Sequence, residues 1–188
     1  MNKGNMKAQQ SQEAILNALL YLMEIDEYPF ITISQIASHA NVSRVTFYRN
    51  FESKEAVLKL KIQKIIHDYI SIHGRLEHLN FNNISELLFN IIIENIVFFK
   101  LLVENKLLYL FTEPFYESIL AENQIHRAYL WEQYDQRVFK NVLSLTFGGY
   151  EQFIIHHIFD ENPSVEQWKA DFNEALQIIN QINSQTPQ

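Results

Sequence analysis

Arginine, threonine, tyrosine and asparagine side chains crowd into the seven residues 44–50. Tyr and Thr hydroxyl groups suit phosphate oxygens, and an Arg guanidinium suits either a phosphate or the edge of guanine. A helix so rich in polar side chains is unlike a core helix. Phe47 and Phe51, four residues apart, can nevertheless anchor one side of it. The chemistry that this stretch favours is contact with a nucleic acid.

Two short helices joined by a tight turn are predicted to position these side chains. Thr32 can cap the first helix, and Gln35 three residues later completes a capping box. Asn41 occupies the turn, where a left-handed backbone is needed and Asn is the best choice after Gly. Ser43 then caps the second helix, Arg44–Asn50. This is the helix-turn-helix arrangement that lays its second helix in the DNA major groove.

A third helix is predicted to begin after Ser53, with Lys54 in its first turn and well placed for a phosphate. The whole span Thr32–Leu58 resembles the DNA-binding signature of the TetR family of bacterial transcriptional regulators. The matching residues are Thr32, Ile36, Ala37, Val42, Ser43, Thr46, Phe47, Tyr48, Phe51, Lys54 and Leu58. The chain departs from the family pattern at Asn41, where Gly is usual, and at Val45, where a small residue is common.

The resemblance implies a homodimeric regulator, a repressor, whose two heads bind a pseudo-palindromic double-stranded operator. The residues expected at the DNA are Thr32, Ser34, Ser43, Arg44, Val45, Thr46, Tyr48, Arg49, Asn50 and Lys54. Arg44 and Arg49 are the predicted base readers, and the Tyr48 hydroxyl is a predicted phosphate contact.

The formal net charge of −7 is unusual for a protein that binds DNA, but the charge is unevenly distributed. Residues 1–64 carry 8 Lys or Arg and 6 Asp or Glu, whereas residues 65–188 carry 7 and 16. The basic residues therefore coincide with the helix-turn-helix motif, as expected when only one end of a protein touches phosphate. A solvated charged face would explain Lys59, Lys61 and Lys64 equally well.

Other classes of function find little support. Cysteine is absent, which excludes disulfides and thiolate metal sites and is compatible with a reducing cytoplasm. No segment is apolar enough to span a bilayer, so we expect a cytoplasmic protein. No nucleophile elbow, P-loop, dinucleotide fingerprint or HExxH pattern occurs, so we expect neither catalysis nor a cofactor. His156 and His157 would point about 100° apart on a helix, so no metal site is predicted.

Helical periodicity continues to the C-terminus, and the predicted fold is all-α. We expect a helix-turn-helix DNA-binding domain at residues 1–53 and a helical ligand-binding and dimerisation domain at residues 54–188. Residues 1–7 are expected to form a mobile arm. Helices are predicted at residues 9–25, 54–77, 84–105, from 114, from 124, and at 141–159 and 165–182. Within these helices Asn83 is a predicted N-cap, Pro114 a predicted first residue and Ser164 a predicted cap.

Gly148 and Gly149 lie inside a predicted helix, where each costs roughly 1 kcal/mol relative to Ala. Close packing against another helix would offset this cost best, and a bend lining a cavity is the second explanation. The resemblance implies that the last two helices pair with their copies in a four-helix dimer interface. Its predicted residues are Phe147, Gly148, Phe153, Phe172, Leu176 and Ile179. A core within one chain is the alternative for part of this surface.

Most of the 14 Phe, 9 Tyr and 2 Trp lie beyond the predicted DNA-binding domain. Such residues usually fill cores, but in a TetR-like regulator this region would enclose an apolar pocket for a small hydrophobic effector. The predicted pocket residues are Glu94, Phe98, Tyr109, Phe115, Tyr129, Trp131 and Tyr134. Two alternatives remain: a TetR-like DNA-binding protein regulated by a protein partner, and a helical enzyme that merely contains the motif.

Overall fold

The computed structural model describes residues 3–73, 81–126 and 135–185, and every regular element in these ranges is helical. The α-helices are α1 (Lys3–Ile25), α2 (Ile33–His39), α3 (Arg44–Asn50), α4 (Lys54–His73), α5 (Phe81–Glu94), α6 (Ile96–Glu104), α7 (Tyr109–His126), α8 (Gln136–His157) and α9 (Val165–Gln185). A short 3-10 helix, Tyr28–Phe30, separates α1 from α2. The predicted all-α fold is confirmed.

The N-terminal ends of three helices differ from the prediction, among them that of α8, which begins at Gln136 and not at residue 141. Helix α1 begins at Lys3, so residues 3–7 are helical and do not form an arm. Helix α5 begins at Phe81, which places Asn83 inside the helix and not at its cap. In each case the helix begins before the residue at which the sequence predicted its start.

The predicted helix over residues 84–105 is divided at Asn95. The Asn95 backbone N–H donates to the carbonyl of Ile92 at 3.1 Å, three residues back, while its side-chain amide donates to the carbonyl of Ile91 at 3.0 Å. An Asn side chain competes in this way for backbone acceptors and interrupts a helix. Helix α6 therefore starts separately at Ile96.

Pro114 lies inside α7 and not at its start, so that prediction was wrong. A left-handed residue, Lys106 with φ 59°, ends the preceding turn. Bonds spanning three residues, Leu110 N–H to Leu107 O at 3.0 Å and Phe111 N–H to Leu108 O at 2.9 Å, then open α7. Pro114 is the sixth residue of α7, so its missing N–H removes one helical bond, the one to the carbonyl of Leu110.

The described residues form two compact units, the first comprising Met1–Ile72 with Leu101–Pro114. Within it α1 packs against α2 and α3. One face of α1 is buried at a spacing of three and four residues, which is the period of an amphipathic helix. Its buried residues are Ile15, Ala18, Leu19, Leu22 and Met23. This face supports the two short helices, which are too short to be stable alone.

The second unit comprises His73–Lys100 with Phe115–Gln188. Helix α9 packs against α5, and the Lys169 ammonium meets the Glu86 carboxylate at 2.7 Å. An aromatic cluster fills this core, with the rings of Tyr150 and Phe172 stacked 4.5 Å apart. Its members are Phe89, Phe147, Tyr150, Phe153, Trp168 and Phe172.

One polar pair lies inside the second unit. The hydroxyl oxygens of Ser85 and Tyr150 are 2.7 Å apart, and both side chains are buried. Burial raises the pKa of the Tyr150 hydroxyl to about 12, although its hydrogen bond with Ser85 acts in the opposite direction. The Tyr150 side chain is therefore held in its neutral form at physiological pH.

Candidate nucleic-acid interface

The turn between α2 and α3 has the predicted backbone geometry. The Gln35 side chain accepts the Thr32 backbone N–H at 2.8 Å, and Thr32 Oγ1 accepts the Gln35 N–H at 3.2 Å, which completes the capping box. Asn41 adopts φ 52°, in the left-handed region. The Val42 N–H then reaches back to the carbonyl of Ala37 at 2.9 Å. These bonds satisfy the helix ends and fix the direction in which α3 leaves the turn.

Helix α3 is anchored on one face and exposed on the other. Ser43 Oγ accepts the Thr46 N–H at 3.0 Å and so caps its N-terminus. The rings of Phe47 and Phe51, 6.0 Å apart, are buried against the first unit. In contrast, Val45 is 77 % exposed and Tyr48 is 50 % exposed.

The two arginines of α3, Arg44 and Arg49, are also exposed. A helix held by two aromatic anchors, with its cationic and hydroxyl side chains outward, has the form needed to enter a DNA groove. The bounds of α3 are those predicted from the sequence, because Ser43 gives a strong capping signal at its N-terminal end. Contact of these side chains with DNA stays a prediction.

Two of the predicted DNA-facing side chains, those of Asn50 and Thr46, form hydrogen bonds at α3 itself. The Asn50 side-chain amide donates to the carbonyl of Thr46 at 2.7 Å, and Asn50 is half-buried. Thr46 Oγ1 lies 3.0 Å from Ser43 Oγ. Assignment of Asn50 and Thr46 to the DNA stays a prediction, and each would have to contact DNA while keeping or exchanging these bonds.

Open clefts run along both sides of α3. The first, of about 460 Å³, is lined by Lys7, Gln10 and Ser11 of α1 together with Ser43, Thr46 and Arg49. The second, of about 540 Å³, brings Lys59 and Gln63 of α4 beside Tyr48 and Arg49. Each cleft has a lysine beside Arg49, Lys7 in the first and Lys59 in the second, although the carboxylate of Glu52 also lines the second. These cationic side chains can accept the phosphates that flank a major groove.

Sequence reasoning missed the contribution of α1 to this surface. Lys7 and Gln10 were not considered because residues 1–7 were expected to be an arm without fixed structure. Lys59 was noted only as part of a basic stretch. Its position five residues after Lys54 on a helix was a signal that the two lysines face different directions.

Lys54 lies on a different part of the first unit. Its ammonium donates to the carbonyls of Tyr28 at 2.5 Å, Ile31 at 3.0 Å and Pro29 at 3.3 Å. The same group lies 4.2 Å from the centre of the Tyr28 ring. The predicted phosphate contact of Lys54 is not tested by these bonds, but they give the side chain a different set of partners.

Titratable groups around Lys54 are shifted by burial and by one another. Burial lowers the pKa of Lys54, although the charge of Glu55 acts to raise it. Burial also acts to raise the pKa of Glu55, but hydrogen bonds to its carboxylate and the nearby Lys54 charge outweigh this effect and lower it. The Tyr28 pKa is raised, first by burial and then by Glu55. The buried Tyr28 hydroxyl has no bond of good geometry among the described residues.

The predicted effector residues are only partly described. Phe98 and Phe115 are buried, whereas Glu94 and Tyr109 are exposed. Tyr129, Trp131 and Tyr134 lie outside the described residues. Assignment of this set to a ligand pocket stays a prediction.

The predicted dimer residues fall into two groups. Phe147 and Phe172 are buried in the second unit, and Phe153 packs there on Trp168 with ring centres 5.9 Å apart. Gly148 and Ile179 are exposed and Leu176 is half-buried. The core of the second unit thus takes the aromatic members of the predicted set, because Phe153 and Phe172 pack on Phe89 of α5 and Phe147 packs on Phe115 of α7.

Gly148 and Gly149 are exposed on α8, and no other helix of the described chain packs closely on them. The predicted close packing against another helix stays a prediction. A Cβ added at either position would meet no heavy atom within 4 Å in the described chain. Both positions therefore face free space outside the described chain.

Two further findings bear on other kinds of site. Among residues 3–73, 81–126 and 135–185, no three His, Asp or Glu side chains are grouped as metal ligands. None of the helices within these ranges combines the length and apolar character needed to cross a membrane.

Comparison with known proteins agrees with the geometry of the site. Residues 15–60, which include α2 and α3, match the model of the bacterial regulatory proteins, tetR family. No curated protein matches the chain. Among solved structures, the chain is similar to a transcriptional regulator (TerR/AcrR family) from Aquifex aeolicus VF5, with 20 % sequence identity and a TM-score of 0.57.

That similarity covers 90 % of this chain and 99 % of the other, so it extends over the fold of both proteins. At this identity it bears on the fold, whereas the family model covers the helices that build the candidate interface. Together with the exposed and capped helix α3, these findings show that residues 15–60 are similar to the DNA-binding region of the bacterial regulatory proteins of the tetR family, and that the fold is similar to that of a solved transcriptional regulator.

Proposed function

We propose that this protein is a TetR-type transcriptional regulator, a repressor that binds a pseudo-palindromic operator as a homodimer and is released by a small apolar ligand. Residues 1–53 would bind DNA, and residues 54–188 would dimerise and bind the ligand. The observation that carries the proposal is helix α3, which buries Phe47 and Phe51 and presents its other face to solvent.

The exposed side chains of α3 suit different parts of a DNA duplex. Arg44 and Arg49 can donate two hydrogen bonds to a guanine edge, and the Val45 side chain can contact a thymine methyl group. The Tyr48 hydroxyl suits a phosphate at the edge of the groove. Thr32, Ser34 and Ser43 at the N-terminal ends of α2 and α3 would add phosphate contacts, since helix N-termini favour anions.

An exposed apolar stripe on α8 supports the proposed homodimer. Its residues recur every three or four positions, which places them on one side of the helix. They are Val138, Val142, Leu145 and Gly149, with Gly148 and Ile155 beside them, and the exposed Phe159 follows just after the end of α8. Ile178 and Ile179 are exposed on α9. Such a stripe on a subunit surface is typical of an interface, and the two glycines would let a second helix approach closely.

The proposed ligand is apolar because the second unit is rich in large aromatic side chains. Phe98 and Phe115 are the buried members of the predicted pocket. A panel of small hydrophobic compounds should include members that raise the melting temperature and release DNA in the same concentration range. If release instead requires another protein, regulation by a protein partner is the correct reading.

Selection of duplexes from a random-sequence library by the purified protein tests the proposal. Two inverted half-sites, with centres one helical turn or a small multiple of it apart, are expected from a two-fold symmetric dimer. Selected duplexes with a single half-site would contradict binding as a dimer. Absence of any enriched sequence would contradict operator recognition itself.

A further inference from the structure

Lys54 has its hydrogen-bonding capacity filled from within the chain. An ammonium group has three N–H donors and no acceptor. The Lys54 ammonium lies within bonding distance of three carbonyl oxygens, those of Tyr28, Pro29 and Ile31. The Tyr28 ring 4.2 Å away adds a cation–π contact.

These acceptors belong to one short segment, Tyr28–Ile31, which contains the 3-10 helix between α1 and α2. The Phe30 N–H donates to the carbonyl of Glu27 at 3.0 Å and the Ile31 N–H to that of Tyr28 at 3.2 Å, so the segment has few backbone bonds of its own. Thr32 then caps α2 directly after it. The charge of Lys54 therefore fixes the point at which the chain enters α2.

We propose that Lys54 is a positioning residue for DNA binding and contacts no phosphate. By holding the Tyr28–Ile31 segment against the first turn of α4, it sets where α2 and the following α3 lie. The inference rests on DNA binding by α3. It replaces the phosphate contact expected from the position of Lys54 in the sequence.

Asn105 supports the same segment from a distant part of the sequence. Its side-chain oxygen accepts the Tyr28 N–H at 3.0 Å, and its side-chain amide donates to the carbonyl of Leu101 at 2.9 Å. All of these residues belong to the first unit. The Tyr28–Ile31 segment is thus held by two side chains, Lys54 and Asn105, and removal of either should have the same kind of effect on DNA binding.

The salt dependence of DNA binding separates the two roles. Log affinity falls linearly with log salt concentration, and each phosphate that a lysine neutralises increases the magnitude of this negative slope by about 0.9. The probe is a duplex selected from a random library by the wild-type protein. Lys54→Met keeps the aliphatic stem and removes the charge. Lys59→Met, on the same helix and lining the cleft beside Tyr48 and Arg49, is the matched variant for a phosphate contact.

We expect Lys54→Met to lose affinity several-fold at every salt concentration with the wild-type slope. We expect Lys59→Met to lower the magnitude of the slope by about 0.9. A fall of that size in Lys54→Met would overturn the inference, whatever Lys59→Met does. If the wild-type protein selects no duplex, DNA binding itself fails, and that result is distinct from a changed slope.

Asn105→Ala is a second variant, which tests the same positioning role without changing a charge. It should also lower affinity with an unchanged slope, and the Lys54→Met/Asn105→Ala double variant should lose less than the two single losses combined, because both act on one segment. Urea unfolding of each variant checks that the folded state persists. Wild-type affinity in a folded Lys54→Met variant, or in a folded Asn105→Ala variant, would overturn the positioning role.

Discussion

The Ser43 hydroxyl oxygen accepts the backbone N–H of Thr46 at 3.0 Å, and the hydroxyl oxygens of these two residues are also 3.0 Å apart. One small cluster therefore caps α3 and lies at the edge of the surface expected to face DNA. A substitution in it should change both the stability of the first unit and its affinity for DNA.

Ser43→Ala should lower the free energy of unfolding by about 0.5–2 kcal/mol, because the N-terminus of α3 loses its cap. Urea denaturation measures the change. Ser38→Ala, at an exposed position on α2, is the control and should stay within about 0.5 kcal/mol of wild type. Equal stability of Ser43→Ala and wild type would show that this cap contributes nothing.

Arg44 and Tyr48 should respond differently to truncation. Arg44→Ala should relax the preference for particular base pairs by roughly 1–3 kcal/mol, since a base reader contributes to only some positions. Gel-shift titrations against single-base variants of the selected duplex measure this. A uniform loss over all variants would mean that Arg44 touches only phosphate.

Tyr48→Phe removes one hydroxyl and keeps the ring that packs edge-on against Phe47. If the hydroxyl meets a phosphate, affinity should fall by about 0.5–1.5 kcal/mol, evenly across duplex variants. The same titrations give the result. Unchanged affinity would remove Tyr48 from the phosphate contacts.

Leu145→Glu should convert the proposed dimer into monomers that remain folded. Leu145 is 79 % exposed, so the substitution leaves the core of the second unit intact. A carboxylate in the middle of an apolar interface would lose its hydration without a partner. Sedimentation measures the mass, and Ser144→Glu, turned about 100° away on α8, is the matched control. A stable Leu145→Glu dimer would place the interface elsewhere.

Phe153→Glu would be a poor test of dimerisation, although Phe153 is among the predicted interface residues. Phe153 packs on Phe89, Trp168 and Phe172 within its own subunit. A charge there would unfold the core, and loss of the dimer would follow for that reason alone.

Alkaline pH should weaken the second unit through Tyr150. Its pKa of about 12 in the folded protein lies above the ordinary value of 10.0, so between these values the unfolded chain releases a proton that the folded chain keeps. Stability is therefore complete below pH 10 and is lost as pH rises towards 12, by up to roughly 3 kcal/mol.

Tyr150→Phe removes this loss and should cost about 0.5–1.5 kcal/mol at neutral pH, because the hydroxyl pair with Ser85 is broken. Urea unfolding of the variant and wild type at several pH values from 8 to 12 compares them. The stability gap should shrink or change sign at high pH. A constant gap would show that the Tyr150 hydroxyl ionises as readily in the folded protein as in the unfolded chain.

Local signals explain why α2 and α3 could be predicted from the sequence. Thr32 with Gln35, Asn41 with its φ of 52°, and Ser43 each act within a few residues, and the structure shows all three as expected. Such interactions depend little on the rest of the fold.

Local sequence signals do not show which tertiary contacts the helices and side chains make. Helical spacing showed that Phe147 and Phe172 lie on apolar faces, but only packing against α7 and α5 decides which face is inside. Likewise, the sequence does not show that the carbonyls of Tyr28 and Ile31 lie within bonding distance of the Lys54 ammonium, because the fold brings these groups together.

The most direct test measures the affinity of the wild-type protein for two duplexes, a selected one and a scrambled one of equal length and composition. Both affinities are measured at the same salt concentration, near the physiological value. Recognition of base edges by α3 predicts a preference of about 10³-fold or more for the selected duplex. Equal affinity for the two duplexes would contradict sequence-specific recognition and leave only electrostatic attraction to phosphate.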